Sequence, residues 1–408
     1  MGSTSADEPT GPQSAPSSSH ASSADRQGTR IERICRLAAQ KRGHLSAGAW
    51  HSCVIDAQSR PWCWGGNAYG AVGNGKHGWR GRSEDEVEED GVARQPTLVS
   101  FDRKMTSVAA GGLSTCGIEA EGTLWCWGAH ENNESLDGLA DIPRIRSVGG
   151  RVRALALGTN HHCAIRDDKT LWCRGDNRIG QIEPSAKRTT LKQAVQIESL
   201  GKTVESVALS NDATCVLKDD HSVWCWGGNR NGELGIGEPG NRLNPAQVFP
   251  PGAGVVEVAG GSDHFCARFE KSGISCWGWD YHGQLGDESE PKIGMSNAPL
   301  PVKKRIDAIQ LSLGNSFSGA LDSSGTIWLW GSNSSRVMGD THPKGSVSPV
   351  KVQGLCPAVQ FSAGGSHVCA ICEDQSVWCW GAGRDCQLGD GKCTDYAPAP
   401  ERAAFPNP

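Results

Sequence analysis

Paired cysteines are the residues of this sequence whose type and spacing most directly predict a chemistry. Six pairs share a separation of ten residues, and each lies in a segment with a similar order of tryptophan and glycine. A turn midway between two such cysteines sets them opposite each other on neighbouring antiparallel strands, close enough for a disulfide bond. The predicted bonds are Cys53–Cys63, Cys116–Cys126, Cys163–Cys173, Cys215–Cys225, Cys266–Cys276 and Cys369–Cys379.

Five further cysteines lie outside this pattern. Cys35 and Cys356 each precede a terminal repeat, so the sequence predicts a bond Cys35–Cys356 that joins the first repeat to the last. Cys386–Cys393 is the predicted bond of the last loop, and Cys372 is left over because seventeen is an odd number. Structural zinc requires two pairs of closely spaced cysteines, so no metal site is predicted.

The number of predicted disulfides indicates an oxidising compartment. The predicted location is therefore extracellular, periplasmic or at a cell surface. Each bond closes a short loop and is expected to contribute about 2 to 3 kcal/mol to stability. The net charge is −5 and the N-terminal tail has no run of Lys or Arg, which argues against nucleic acid as a partner.

The elements that position these cysteines are β-hairpins, and the sequence contains seven copies. One copy has Gly319 and Leu329 in place of the cysteine pair, and such a joint loss is expected of two bonded residues. Twelve of the fifteen tryptophans flank the second cysteine or its replacement, which predicts a structural role for them. The period of roughly 50 residues, with two more short strands between hairpins, predicts an all-β, seven-bladed β-propeller with four-stranded blades.

The predicted propeller spans residues 31–408 and follows a Ser/Pro-rich tail, residues 1–30, whose composition predicts disorder. Residues 31–45 fit either a strand or a short helix. The tail lacks the apolar core of a signal peptide or a membrane span, so no transmembrane segment is predicted. Its composition is typical of what remains after removal of a secretion or lipoprotein signal, and a lost lipid anchor stays a hypothesis.

The segments Val207–Gly235 and Val258–Gly286 carry a pattern of the form Val-Ala-Gly-Gly-x-x-His-x-Cys-Ala, then Val-Trp-Cys-Trp-Gly-x-Asn-x-x-Gly-x-Leu-Gly. This pattern resembles the repeat of the regulator of chromosome condensation family. The resemblance covers the chain from about Ile31 onward and implies a seven-bladed β-propeller. The cysteine pairs depart from most of that family. In this respect the chain is similar to secreted bacterial members with disulfide-bonded blades, which implies binding of a protein through the loops of one face.

Histidine recurs two residues before the first cysteine in four copies. A ring of imidazoles around one mouth of the propeller is the functional interpretation. The recurrence favours a structural one, in which each histidine binds a backbone carbonyl at the start of its own strand. His162 lies outside this register and is expected to be free. The four repeated positions are His51, His161, His264 and His367.

The residues just before those positions differ between copies, although the hairpins do not. Because equivalent loops of all blades meet on one face, this variation predicts a surface for an asymmetric protein partner, with exposed aromatic side chains as anchors. The residues predicted for this binding face are Trp50, Trp79, Asn160, His162, Asp212, Asp263, Phe265 and Phe317.

One large insertion, residues 76–96, contains the acidic run Ser83–Asp90. Such a run is most simply a solvated loop. The sharper hypothesis is an acidic contact for a basic partner or a divalent cation, with Trp79 as an anchor beside it.

Together these patterns predict an exported, monomeric, non-catalytic protein-binding module without a cofactor. No catalytic motif is found, so no catalytic residue is predicted. The first alternative is a lyase or hydrolase with its site in the propeller mouth, for which His161, His162 and Arg174 on one hairpin are the only hint. The second is a guanine-nucleotide exchange factor for a small GTPase, which the predicted disulfides disfavour.

Overall fold

The computed structural model describes residues 1–2, 44–78, 91–129, 140–146, 148–183, 189–271, 273–289 and 294–406. Its strands form seven antiparallel sheets, each built from four strands consecutive in the chain. The predicted seven-bladed β-propeller is confirmed. Apart from residues 1–2, the predicted tail lies outside the described residues, as does the ambiguous segment up to residue 43.

The first strand of each blade lies nearest the propeller axis and the fourth lies outermost. Blade 1 contains β1 (Leu45–Ala47), β2 (His51–Ile55), β3 (Pro61–Gly66) and β4 (Val92–Leu98). Blade 2 contains β5 (Met105–Ala110), β6 (Ser114–Glu119), β7 (Leu124–Gly128) and β8 (Ala140–Arg146). Blade 3 contains β9 (Val152–Leu157), β10 (His161–Arg166), β11 (Leu171–Asp176) and β12 (Thr190–Gln196).

The other four blades follow the same order. Blade 4 contains β13 (Val204–Leu209), β14 (Ala213–Lys218), β15 (Val223–Gly227) and β16 (Arg242–Phe249). Blade 5 contains β17 (Val255–Gly260), β18 (His264–Phe269), β19 (Gly273–Trp279) and β20 (Met295–Pro301). Blade 6 contains β21 (Ala308–Leu313), β22 (Phe317–Asp322), β23 (Ile327–Gly331) and β24 (Ser346–Lys351). Blade 7 contains β25 (Ala358–Ala363), β26 (His367–Cys372), β27 (Val377–Ala382) and β28 (Tyr396–Arg402). A single turn of 3-10 helix, Glu198–Leu200, precedes β13.

The second and third strands of each blade form the hairpin that the cysteine spacing predicts. In six blades the two cysteines are directly opposite each other and bonded, with Cα atoms 4.0 to 4.1 Å apart. In blade 6 Gly319 and Leu329 occupy the same pair of positions. The disulfide therefore joins residues whose opposition the strand pairing already sets.

Two disulfides lie outside the hairpin pattern. Cys386 is bonded to Cys393. The predicted bond Cys35–Cys356 is wrong, because Cys356 is bonded to Cys372, which was expected to be left over. Pairing of β25 with β26 sets Cys372 opposite Ala358, two residues from Cys356, so the nearest thiol lies within the same blade. Cys35 lies outside the described residues.

In six of the seven hairpins the residue after the second cysteine, or after Leu329 in blade 6, is a tryptophan, here called the seam tryptophan, which seals the contact between one blade and the blade before it. All six side chains are fully buried. Each indole N–H donates a hydrogen bond of 2.8 to 3.1 Å to a backbone carbonyl in the loop that follows the third strand of the preceding blade. The pairs are Trp64 with Gln387, Trp127 with Ala71, Trp226 with Ile182, Trp277 with Glu233, Trp330 with Gln284 and Trp380 with Val337.

The ring closes between blades 7 and 1 by the same kind of contact. The seam tryptophan Trp64 reaches the carbonyl of Gln387, and the Gly365 N–H donates to the Gly48 carbonyl at 3.0 Å. The Ala47 N–H donates to the Ser362 hydroxyl at 2.9 Å. Closure pairs or covers strand edges that would otherwise be open.

Candidate protein-binding face

The residue immediately before the second strand of each blade, here called the tip residue, is held on the same backbone frame in all seven blades. A glycine recurs in the third strand of every blade. The N–H of the residue after this glycine donates a hydrogen bond of 2.7 to 2.9 Å to the carbonyl of the tip residue. In blade 4 this glycine, Gly227, has φ of 105°, and a Cβ there would lie 2.5 Å from the Asp212 carbonyl oxygen. The tip residues are Trp50, Leu113, Asn160, Asp212, Asp263, Ser316 and Ser366.

The four repeated histidines lie below these tips and are buried. The expected bond to a carbonyl of the histidine's own strand is wrong. Each Nε2 is instead within 2.7 to 2.8 Å of a Ser or Thr hydroxyl in the next blade, which in turn donates to a backbone carbonyl. The pairs are His51 with Thr115, His161 with Thr214, His264 with Ser318 and His367 with Ser52.

Burial lowers the pKa of all four histidines. The pKa falls to about 4 for His51 and His161, and to about 3 for His264 and His367. These rings are therefore neutral at physiological pH and closed to solvent. They connect blades, and the functional interpretation as an exposed imidazole ring does not hold.

Phe265 and Phe317 are not part of the exposed face. Phe265 is 0% exposed and Phe317 is 3% exposed, because each lies between two blades at the level of the histidine–hydroxyl pairs. Phe265 takes the place of the hydroxyl opposite Ala213, and Phe317 takes the place of the histidine opposite Val368. Sequence reasoning about a single hairpin missed this, since the partner of each residue lies one blade away.

The contact between blades 2 and 3 has a third arrangement. Here the hydroxyl residue is Ser114 in blade 2, and the histidine is His162 in blade 3, which reverses the order seen elsewhere. His162 is half-buried and is not free, contrary to expectation. His161, its neighbour, points into the next contact, so the two histidines do not form one site.

An aromatic cleft lies on the tip face between blades 1 and 2. Trp50 is 43% exposed and Leu113 is 38% exposed, although both are large and apolar. With Tyr69 and the backbone of Gly66 they line a cleft of about 330 Å³ that also includes Asp385. Exposed apolar groups around a cleft of this kind are typical of sites that receive a partner side chain.

An acidic stretch continues across blades 3 to 5. Burial raises the pKa of Asp212 and the charge of Asp176 raises it further, while Arg178 and Arg230 lower it. Burial likewise raises the pKa of Asp263, with a further contribution from Asp212. The nearby Asn160 amide is fixed by a hydrogen bond of 3.3 Å to the Asn211 carbonyl. Partly desolvated carboxylates that repel one another would gain from a cation placed between them.

A second aromatic pair ends this stretch and was not among the predicted site residues. Trp279 and Tyr281 stack with ring centroids 6.0 Å apart, and Tyr281 is 62% exposed. The Trp279 N–H donates to the carbonyl of the tip residue Asp263 at 2.8 Å. Asp280, which lies between these two residues in the sequence, has its pKa raised by burial to about 6. The available signal was that Trp279 is one of three tryptophans outside the hairpin positions.

The axial channel at the tip end is narrow. Its volume is about 140 Å³, and its described lining consists of Ala, Gly, Leu, Ser, Thr and Asn residues from the ends of the first strands and the turns that follow them. Backbone hydrogen bonds between blades, such as Ala49 N–H to the Gly111 carbonyl at 3.0 Å, tighten it further. This part of the channel offers no acid or base for the enzyme alternative among the residues that the structure describes.

Two parts of the predicted binding surface have no counterpart in the description of the structure. Trp79 and the acidic run 83–90 lie outside the described residues. Cys356, Cys372 and Asp374 come close together, but the two sulfur atoms are already bonded to each other and do not form a ligand set for a metal. Within the described residues, no helix has the length and apolar character needed to cross a bilayer.

Comparison with known proteins identifies relatives of this propeller. The RCC1-like domain matches residues 20–353, and the regulator of chromosome condensation (RCC1) repeat matches residues 358–386. The mitochondrial RCC1 domain-containing protein RUG3 of Arabidopsis thaliana is 26% identical over 293 residues, which cover 70% of this chain and 53% of RUG3. The chain thus spans about half the length of that relative.

Two solved structures share the fold. Human WBSCR16 superposes with a TM-score of 0.73 at 21% identity, covering 84% of this chain and 93% of that one. Prp20p from Saccharomyces cerevisiae gives a TM-score of 0.72 at 19% identity, covering 90% of this chain and 89% of that one. At these identities the likeness establishes the architecture alone.

Proposed function

The chain belongs to the RCC1-like domain family, and from this premise we propose that it is an exported, non-catalytic propeller that binds a protein through its tip residues. The observation that carries this proposal is the contrast between the constant backbone of the tip residues and their varied side chains. Seven tip carbonyls are held by equivalent hydrogen bonds, whereas the seven side chains are aromatic, aliphatic, acidic and polar. A constant frame with varied side chains supports recognition of one asymmetric surface.

The chemistry of the tip face defines the kind of partner it fits. The cleft beside Trp50 and Leu113 would receive an apolar side chain of the partner. Asp212 and Asp263, whose pKa values are raised by burial, would be stabilised in their charged form by a Lys or Arg of the partner. The proposed partner therefore presents an apolar residue next to a basic one.

Known behaviour of a structural relative supports the class of function. Prp20p has been described with binding properties towards Gsp1p and histones. That a propeller of the same architecture binds proteins makes a protein ligand a reasonable expectation for this chain. The identity of its partner is not carried over.

Export is supported by the disulfides, because eight bonds are expected in an oxidising compartment and not in a reducing cytosol. The guanine-nucleotide exchange alternative requires the opposite environment. Titration of thiols in the native protein separates the two. Export predicts that sixteen cysteines are oxidised, and a fully reduced chain would favour the exchange factor.

A pull-down tests the binding function. Oxidised protein immobilised through its N-terminus should capture one protein from the extracellular and envelope fraction of its source. Trp50→Ala and the double variant Asp212→Asn, Asp263→Asn should each reduce capture by roughly tenfold or more, as expected for interface anchors. Leu98→Ala is the matched control, because Leu98 is 40% exposed but lies opposite Trp62, at the end of β4 away from the tips. Equal capture by all variants would contradict the assigned face.

A further inference from the structure

A cavity of about 460 Å³ lies between blades 2 and 3, where the repeat pattern is broken. In the third strand of blade 3 the position of the seam tryptophan is occupied by Arg174. The loop of blade 2 that would accept the indole N–H also departs from the pattern, because residues 130–139 lack the Gly-x-Leu-Gly found in blades 4 and 5. The sequence has thus lost both halves of this contact together.

The cavity brings two guanidinium groups to an apolar wall. Arg174 is half-buried and makes no hydrogen bond or ion pair to any residue that the structure describes. The buried indoles at the other seam positions, in contrast, each donate a hydrogen bond. Arg166 stacks on Trp172 at 3.8 Å and donates through Nη2 to the Val148 carbonyl, but its Nε is buried without a partner in the described part of the chain. An unpaired buried N–H donor is costly and favours a ligand that accepts from it.

The remaining described lining is mostly apolar; it also includes His162, Lys192 and Gln193, and it contains no carboxylate. Leu124, Leu155, Leu157, Val148 and Ala164 contribute aliphatic side chains, and Trp172 contributes an aromatic ring. A purely apolar ligand would leave the cations unpaired, and a small inorganic anion would leave the apolar wall against water. The volume is within the range of sites for small organic molecules, roughly 300 to 1,000 Å³.

We propose that this cavity binds a small amphipathic carboxylate, with its carboxylate on Arg174 and Arg166 and its hydrocarbon part against the leucines. Arginine suits this role because its planar guanidinium can donate two parallel hydrogen bonds to a carboxylate. The site is separate from the tip face, and it does not depend on the function proposed above.

Calorimetry on the wild-type chain gives the first test. Octanoate and 1-octanol share a hydrocarbon chain and differ in charge. Octanoate is expected to bind saturably with one molecule per chain. The affinity for 1-octanol is expected to be lower by roughly tenfold or more. Equal binding of the two compounds, or no saturable octanoate binding at millimolar concentration, would overturn the proposal. This comparison needs no variant.

Substitutions at Arg174 give the second test, with folding checked by circular dichroism. Arg174→Gln should weaken octanoate binding roughly tenfold or more and leave 1-octanol unchanged. Arg174→Lys should retain part of the octanoate affinity. Arg174→Trp, which restores the repeat, should fill the cavity and abolish binding of both compounds. Arg178→Gln, in the same blade but outside the cavity, is the control. Octanoate affinity unaffected by Arg174→Gln, or reduced equally by Arg178→Gln, would refute the assignment.

Discussion

Blade 6 lacks the disulfide that the other six blades share, and blade 3 lacks the seam tryptophan that the other six blades share. In blade 6 the side chain of Leu329 is fully buried against Gly319 and Phe361, so apolar packing takes the place of the bond. In blade 3 Arg174 replaces an indole and a cavity of about 460 Å³ lies beside it. The first departure is repacked and needs no ligand. The second places an arginine beside a cavity, and for this reason a ligand is proposed there.

The largest effect is expected when a sealed contact is opened. Trp277→Ala should lower the free energy of unfolding by about 3 to 5 kcal/mol, since the ring is fully buried and its N–H is bonded to the Glu233 carbonyl at 2.9 Å. Arg174→Ala should lower it by less than about 1 kcal/mol, because this side chain has no bonded partner among the residues described. Urea denaturation followed by circular dichroism under non-reducing conditions measures both. Similar losses in the two variants would break the distinction between the two kinds of contact.

Copying the glycine–leucine pair of blade 6 into another blade tests whether apolar packing can replace the disulfide bond. Cys215→Gly with Cys225→Leu copies Gly319 and Leu329 into blade 4. The loss of the cross-link should cost about 2 to 3 kcal/mol, offset in part by burial of the new leucine. The double serine variant should be less stable, because it buries two hydroxyls at a point with 0% exposure. Thermal denaturation ranks the two, and the reverse order would contradict this view of blade 6.

Acid should weaken the contacts that contain histidine. The pKa of His264 is lowered from 6.5 to about 3, so its contribution is complete above pH 6.5 and is lost as the pH falls towards 3. His264→Phe with Ser318→Val copies the apolar arrangement of Phe317 and Val368. The loss of stability between pH 7 and pH 5 should shrink by about 2 kcal/mol in this variant. Urea midpoints at the two pH values measure this loss of stability. If the loss were the same in the variant as in the wild-type chain, the His264 ring would not be its cause.

The smallest effect is expected at the first tryptophan of the hairpin, where cations cover half-buried rings. The Lys304 ammonium lies 4.2 Å from the centroid of Trp328. Lys304→Met should lower stability by about 0.5 to 1 kcal/mol and should not affect octanoate binding. Arg166→Met removes the equivalent contact on Trp172 and should also weaken octanoate. If Arg166→Met left octanoate binding as unaffected as Lys304→Met does, Arg166 would have no part in the cavity site.

The sequence predicted the hairpins well because their register repeats within a short stretch. A separation of ten residues with a central turn leaves one way to set Cys215 against Cys225, and the joint replacement by Gly319 and Leu329 supported it. The blade number followed from the same count. The two short strands expected between hairpins are also present, for example as β16 and β17 between the hairpins of blades 4 and 5.

Contacts between blades were not predictable in the same way. Phe265 and Phe317 were placed on the surface because their partners, Ala213 and Val368, lie in other repeats. The bond of Cys356 was misassigned because it depends on how the chain turns before β25 and not on a repeated spacing. Trp279 and Tyr281 were missed since their exposure follows from the path of one loop.

The central claim is that the tip residues of one face bind a protein. Hydrogen exchange of the chain with and without its captured partner tests it most directly. The account predicts protection of the amides at residues 48–50, 211–212 and 262–263, with no change in the opposite turns at residues 56–60 and 219–222. Protection of those opposite turns, or of the outer strands, with the tips unchanged would contradict it.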